Sequence, residues 1–299
     1  MFSGYWFCNN KLYGVRPMLK WYGYLGLVLI AFAQINFLTK IEPFATWYIP
    51  IVWYGFILFV DSLVYKVKKR SLISTYPKEF LFLLLLSVPF WSIFELYNLF
   101  TSSWYYVNYV WYVHFVDFTT IMPAVLETFS LFTVLGVGTW FDSKRNGLSI
   151  KKQKLIGRGY SFDVIILLIV FGAFASLMPV LMPIIGFPFI WFGMFLLLDP
   201  LNYLTGRQSL VQKVSSGKVS TIIRLFFAGI TMGLFWEFWN YQAYPKWFYS
   251  IPYFTSSIKL FEMPLFGYLG YLGFALEVFL FYAFFRPFIF KKGNDLLDI

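Results

Sequence analysis

The stretch PIVWYGFILFVDSLVYKVKKRSL, Pro50 to Leu72, has a counterpart later in the chain, PFIWFGMFLLLDPLNYLTGRQSL, Pro188 to Leu210. The two align without a gap at a constant offset of 138. Pro50, Trp53, Gly55, Leu58, Asp61, Leu63, Tyr65, Ser71 and Leu72 all find identical partners. Each copy opens with an apolar run long enough to cross a hydrocarbon core of about 30 Å. Each then ends in an acidic residue and a basic loop. A match of this kind predicts an internal duplication, and the rest of the chain can be read outward from it.

The likeness continues downstream. Glu95 and Asn98 in FELYN correspond to Glu237 and Asn240 in WEFWN, and Trp104 to Tyr106 correspond to Trp247 to Tyr249. Leu126, Glu127 and Phe129 then match Leu276, Glu277 and Phe279. Aromatic bias alone can produce one such coincidence. It does not readily place Asp, Glu, Asn and Glu in the same order twice. The expected organisation is a first four-helix repeat over residues 1–140, a basic linker over 141–158 and a second repeat over 159–299.

Composition sets the environment. Hydrophobic residues make up 60% of the chain and charged residues 13%, and the mean hydropathy is +0.68. So few charges cannot cover a water-facing surface on 299 residues. Apolar runs fall at 21–38, 44–65, 80–100, 119–140, 162–183, 184–204, 220–241 and 263–285. They predict an all-α integral membrane protein of about eight spans. Residues 104–117 are aromatic and expected at the interface. The start of the chain shows no small-residue cleavage pattern, so the first apolar run is expected to stay as an anchor.

The net charge of +10 does not point to nucleic acid, because the basic residues sit in short loops between spans. Five of those segments carry 21 of the 24 lysines and arginines, all but Lys40, Lys246 and Lys259 (24 − 3 = 21). They are the N-terminus, 66–78, 141–158, 205–224 and the tail after 285. Cytoplasmic loops carry such an excess, so both termini are expected in the cytoplasm of a cell whose inner or plasma membrane holds the protein. Four spans per half then make the repeats parallel, with a site expected where the halves meet.

Ionisable side chains inside a bilayer cost about 2.5–3.5 kcal/mol each on insertion scales, which makes them functional suspects. Glu95, Glu127, Glu237 and Glu277 are the candidate catalytic residues. No basic residue lies deep enough to pair with them, and an unpaired buried carboxyl keeps its proton. Asn98 and Asn240, together with Trp91, Trp236, Trp239 and Tyr97, are the candidate substrate-binding residues around them. The plainer role for the same carboxyls is hydrogen bonding between helices. Asp61 and Asp199, near helix ends beside basic loops, are expected to anchor to Lys66, Lys68 or Arg207. His114 is expected at the interface. The single cysteine, Cys8, excludes an internal disulfide or a cysteine-based metal centre, and no spacing asks for a metal or cofactor.

The pattern resembles the tandem carotenoid-cyclase domain of membrane lycopene cyclases. The residues carrying the resemblance in the first half are Glu95, Trp104-Tyr105-Tyr106 and MPAVLETFSLF (Met122 to Phe132). In the second they are Glu237, Trp247-Phe248-Tyr249 and GFALEVFLFYAFF (Gly273 to Phe285). That family has an adjacent acidic pair where this chain has one glutamate, and three spans per unit rather than four. The resemblance implies redox-neutral chemistry in which a carboxylic acid protonates a polyene and a carbocation cyclises.

Three functions remain open from the residues. The first is acid–base catalysis on an isoprenoid or other membrane lipid, as a cyclase, isomerase or hydratase. The second is a proton- or cation-coupled transporter or channel. Against it stands the absence of a glycine break in matching positions of both halves. The third is a structural subunit with protein partners in a membrane complex. Nucleotide-binding loops and nucleophile elbows are absent from the sequence, so ATP-driven chemistry is not expected.

Overall fold

The computed structural model describes residues 18–146, 161–251 and 258–290. The N-terminus before residue 18, most of the 141–158 linker and the tail beyond residue 290 lie outside these segments. Among the described residues seven helices are long and apolar enough to cross a membrane, and a bent pair, counted as one span, would be an eighth. The chain is a helical, multi-pass membrane protein.

The first half opens with an antiparallel pair, α1 (Trp21–Thr39) and α2 (Tyr48–Lys68). A short helix α3 (Leu72–Thr75) turns the chain into α4 (Pro77–Thr101). Strand β1 (Trp104–Val107) follows, then α5 (Trp111–Phe118), α6 (Ile121–Val134) and α7 (Thr139–Asn146). The second half runs α8 (Phe162–Leu181), α9 (Pro183–Gly186), a 3₁₀ turn (Phe187–Trp191) and α10 (Gly193–Leu204). It continues with α11 (Leu210–Ser215), α12 (Ser220–Gln242) and β2 (Lys246–Tyr249). A two-residue hairpin, β3 (Lys259–Leu260) with β4 (Met263–Pro264), and a 3₁₀ turn (Leu265–Leu269) lead into α13 (Gly270–Phe285).

Helix α13 sits at the centre. Its sequence, GYLGFALEVFLFYAFF, is apolar all round, and nearly every side chain from Gly270 to Ala283 is buried. A helix without a polar face must be shielded from water by protein or by lipid, and α13 is shielded by protein. The outer helices are apolar in the opposite sense. Leu25, Val28, Ile35, Phe171, Phe174 and Leu177 on α1 and α8 are exposed, as suits side chains that meet lipid.

Close crossings use small residues. A Cβ on Gly55 of α2 would come within 2.9 Å of the Gly26 carbonyl oxygen on α1. Its counterpart Gly193 on α10 meets the backbone of Ser176 on α8 at 2.7 Å. Without cavity-driven hydrophobic attraction in lipid, such backbone-to-backbone approach is what holds adjacent spans.

Asp61 and Asp199 do not form the expected anchors to Lys66, Lys68 or Arg207. Asp61 is fully buried and accepts from the Tyr22 hydroxyl (2.6 Å), the Ser71 hydroxyl (2.8 Å) and the Ile73 N–H (2.8 Å). Asp199 accepts from the N–H groups of Leu210 (2.6 Å) and Val211 (3.1 Å). Arg207 instead lies over Phe284 and Phe288, at 4.5 and 4.7 Å from their ring centres. Each aspartate thus satisfies the free N–H groups at the start of the next short helix, while Ser71 and Ser209 cap the same turns. Asp61→Ala is expected to cost about 2–3 kcal/mol, since buried donors lose their acceptor. Asp199→Ala should cost less, and thermal unfolding in detergent checks the order.

The structure departs from a uniform eight-span reading at two places. The sixth span is broken: the 3₁₀ turn ending at Trp191 and α10 meet at 45°, whereas α2 runs through its equivalent point unbroken. The physical reason lies in α13. A Cβ on Gly273 would fall 2.0 Å from the Trp191 carbonyl oxygen, so α13 packs directly on the end of the turn. The fourth span, expected over 119–140, also begins earlier, since Trp111–Val134 together are long and apolar enough to cross, which includes part of the aromatic stretch 104–117. That stretch supplies β1 and most of α5, and α5 runs almost directly into α6 at Thr119–Thr120.

Candidate functional site

Strands β1 and β2 pair antiparallel, with Tyr105 opposite Phe248 and their rings stacked 5.7 Å apart. Asn98 and Asn240 make this possible. The Asn98 amide donates to the Trp104 carbonyl (2.9 Å), and its oxygen accepts from the N–H groups of Ser103 (2.9 Å) and Trp104 (3.1 Å). Asn240 does the same to Trp247, donating to its carbonyl and accepting from its N–H, both at 2.9 Å. These asparagines, read as substrate-binding candidates, have their amides committed to the strand backbone.

One turn earlier on α4 and α12 stand Glu95 and Glu237. Glu95 Oε1 accepts from the Tyr106 hydroxyl, from Trp91 Nε1 (2.8 Å) and from Trp104 Nε1 (3.4 Å). Glu237 is fully buried, and its Oε1 accepts from the hydroxyls of Tyr249 (2.6 Å) and Tyr271 (2.7 Å). In each strand the tryptophan two residues before the tyrosine donates to that phenol, Trp104 to Tyr106 (3.2 Å) and Trp247 to Tyr249 (2.9 Å). Burial, reinforced by the neighbouring glutamate, pushes the Tyr106 and Tyr249 phenols well above the ordinary tyrosine range. They therefore remain O–H donors.

The phenols face a cavity of about 770 Å³. Its walls come from both halves. Trp91, Trp104, Phe118 and Ile121 face Trp191, Trp236, Trp247 and Phe274 across it, and Tyr106, Tyr249 and Tyr271 line it. Trp91 and Trp236 are 5.5 Å apart between ring centres, and Trp236 packs edge-on to Phe274 at 6.0 Å. No lysine or arginine is among the lining residues. A space of this size, mostly apolar with a few converging polar groups, has the character of a small-molecule site.

Three polar residues of this wall carry no signal in the repeat: Tyr109, His114 and Asp117. His114, expected at the interface, is half-buried in this wall. Its ring packs on Tyr106 (4.4 Å), Tyr109 (4.6 Å) and Phe118 (4.3 Å), and its Nδ1 is buried without a hydrogen-bond partner. Asp117 is buried and accepts from the Tyr109 hydroxyl at 3.5 Å. The spacing of His114 and Asp117, three residues apart, puts both on one face of α5. That was the one signal available in the sequence.

The remaining candidates lie apart from the cavity lining. Trp239 is buried against Trp53 at 4.6 Å. Glu127 is buried beside Asp61, and neither of its oxygens accepts a hydrogen bond. Glu277, equally buried, approaches the N–H groups of Met194 and Phe195 at the start of α10 without closing a hydrogen bond. Tyr97 stands next to Glu277 and Ser176. The structure therefore brings together Glu95, Glu237, Trp91 and Trp236, and leaves Glu127 and Glu277 each in a separate buried setting.

No protein-family model, no curated protein and no solved structure matches this chain.

Proposed function

We propose that the protein is an acid–base, redox-neutral enzyme acting on an isoprenoid or other apolar lipid held in the aromatic cavity. The observation that carries this reading is the pairing of two carboxyl–phenol units, Glu95–Tyr106 and Glu237–Tyr249–Tyr271, with one cavity walled by tryptophans. Ring faces attract cations, and the carboxyl groups accept from the phenols that line the cavity and hold them in place. A cavity lined by no lysine or arginine offers no lysine or arginine cation to a phosphate or a fatty acid carboxylate. It suits a neutral hydrocarbon that becomes cationic in the transition state. The resemblance to carotenoid cyclases points the same way, toward an acyclic polyene.

The architecture we infer for this enzyme is two parallel repeats with both termini cytoplasmic. It is supported by the matched capping of Asp61 and Asp199, the matched asparagine clamps, and strands that pair with Tyr105 opposite its counterpart Phe248. The excess of basic residues on one side supports the orientation.

Gentle purification, organic extraction and mass spectrometry test the reading. A stoichiometric isoprenoid or similar apolar lipid is expected. Bulk phospholipid alone, with an acyclic polyene neither bound nor altered by the purified protein, would sink it. A transport reading has one observation in its favour, the bent sixth span with Glu277 at the start of its second piece. Broken spans with exposed helix ends mark many transport sites. Proton- or cation-dependent uptake into liposomes would move the assignment there.

A further inference from the structure

We infer that Asp117 is the group that passes a proton to the occupant of the aromatic cavity, an inference that rests on the acid–base reading above. Of the carboxyls considered so far, Glu127 and Glu277 do not line the cavity, and Glu95 and Glu237 meet it through tyrosines. Asp117 lines it directly.

Hydrogen-bond bookkeeping separates the roles. Bonds accepted by a carboxylate favour its charged form and fix it in place. Glu95 accepts three, from Trp91, Trp104 and Tyr106, and Glu237 accepts two, from Tyr249 and Tyr271. These two are held in place by the protein. Asp117 has a single donor, the Tyr109 hydroxyl, at 3.5 Å, the outer limit of a hydrogen bond. Among the carboxyls at the cavity, Asp117, Glu95 and Glu237, it is the one least committed to the protein and most available to a ligand.

The duplication adds an independent argument. Counting back from Glu277 by the ten residues that separate Asp117 from Glu127 reaches Gly267. The carboxyl–phenol units are present twice around the cavity, whereas this acid is present once. A reaction that starts at one end of a bound chain needs one donor, and the asymmetric wall of Tyr109, His114 and Asp117 supplies it.

The step balances without an outside reagent. The O–H bond of the Asp117 carboxylic acid breaks as its proton takes the π pair of an alkene to form a C–H bond. The adjacent carbon becomes a cation facing the rings of Trp91, Trp104 and Trp236. An intramolecular alkene then attacks that carbon, and loss of a proton from a neighbouring C–H bond forms the new double bond. The aspartate takes that proton back. The product is an isomer of the substrate, and no electron enters or leaves.

The test uses the full chain in mixed micelles with lycopene, an acyclic conjugated polyene, as the probe in D₂O. Mass spectrometry reads deuterium in the product, and quenching of tryptophan fluorescence reads binding. Wild type is expected to incorporate deuterium. Asp117→Asn should lose about 10²-fold or more of that rate, the scale of a general acid, with binding retained. Asp117→Asn exchanging at the wild-type rate overturns the assignment and leaves the acid–base reading standing. Wild type that binds the probe and incorporates no deuterium overturns both. Should Asp117→Asn fail to bind, Asp117→Glu decides: exchange by this variant supports the assignment, and binding without exchange overturns it.

Discussion

Replacing Arg286 with methionine is expected to destabilise the protein by about 3–5 kcal/mol, the scale of a buried ion pair that loses one partner. Arg286 Nη2 donates to Glu79 Oε1 at 2.5 Å, and both side chains are about 6% exposed. The other oxygen of Glu79 accepts from the Tyr282 hydroxyl. This cluster joins the first turn of α4 to the end of α13, so it ties the two halves together at the end of the bundle away from the strands. Removal of the guanidinium leaves a carboxylate buried with one phenol as partner. The double variant Glu79→Gln, Arg286→Met removes both charges and should recover a large part of the loss, because desolvating an ion pair offsets much of its attraction. Thermal unfolding of the four proteins in detergent forms the cycle. Equal losses for the single and double variants would show that packing rather than charge holds this contact.

That cluster illustrates what a single sequence leaves unread. Glu79 and Arg286 are 207 residues apart, and each looks like an ordinary member of a basic boundary region. Nothing local marks them as partners. The spans were legible because hydrocarbon imposes a length and an apolar composition on every crossing segment. Asp61 and Asp199 were legible as a matched pair, but their role was not. A carboxylate that caps a short helix and one that pairs with a lysine have the same neighbours in sequence. The strands at 104–107 and 246–249 were visible as matching aromatic triplets, yet their pairing depends on Asn98 and Asn240 reaching forward to the backbone. Asp117 was the costliest omission, and His114 was read only as an interfacial side chain. The matched segments drew attention to residues that occur twice, and the acid that lines the cavity occurs once.

Glu237→Gln is expected to lower turnover of a bound polyene by about 10²–10³-fold, as does the loss of one preorganised electrostatic group. The substitution separates charge from orientation. A glutamine carbonyl at the position of Oε1 can still accept from Tyr249 and Tyr271, so the phenols keep their direction. Oε2 has no hydrogen-bond partner, and the amide nitrogen placed there gains none. That adds an unsatisfied buried donor worth about 1–3 kcal/mol of stability. The rate must therefore be measured well below the variant's melting temperature, beside its retained lipid. Glu95→Gln should act in the same direction and more weakly, because Glu95 is partly exposed and the tryptophan donors Trp91 and Trp104 share its charge. Glu127→Gln and Glu277→Gln lie outside the cavity lining and should lower turnover far less. If Glu237→Gln binds lipid and turns it over like wild type, the carboxyl–phenol unit is a structural device for holding β2. The cation would then be stabilised by the aromatic walls alone. If turnover collapses while binding and phenol orientation persist, the charge itself is what the buried glutamate contributes.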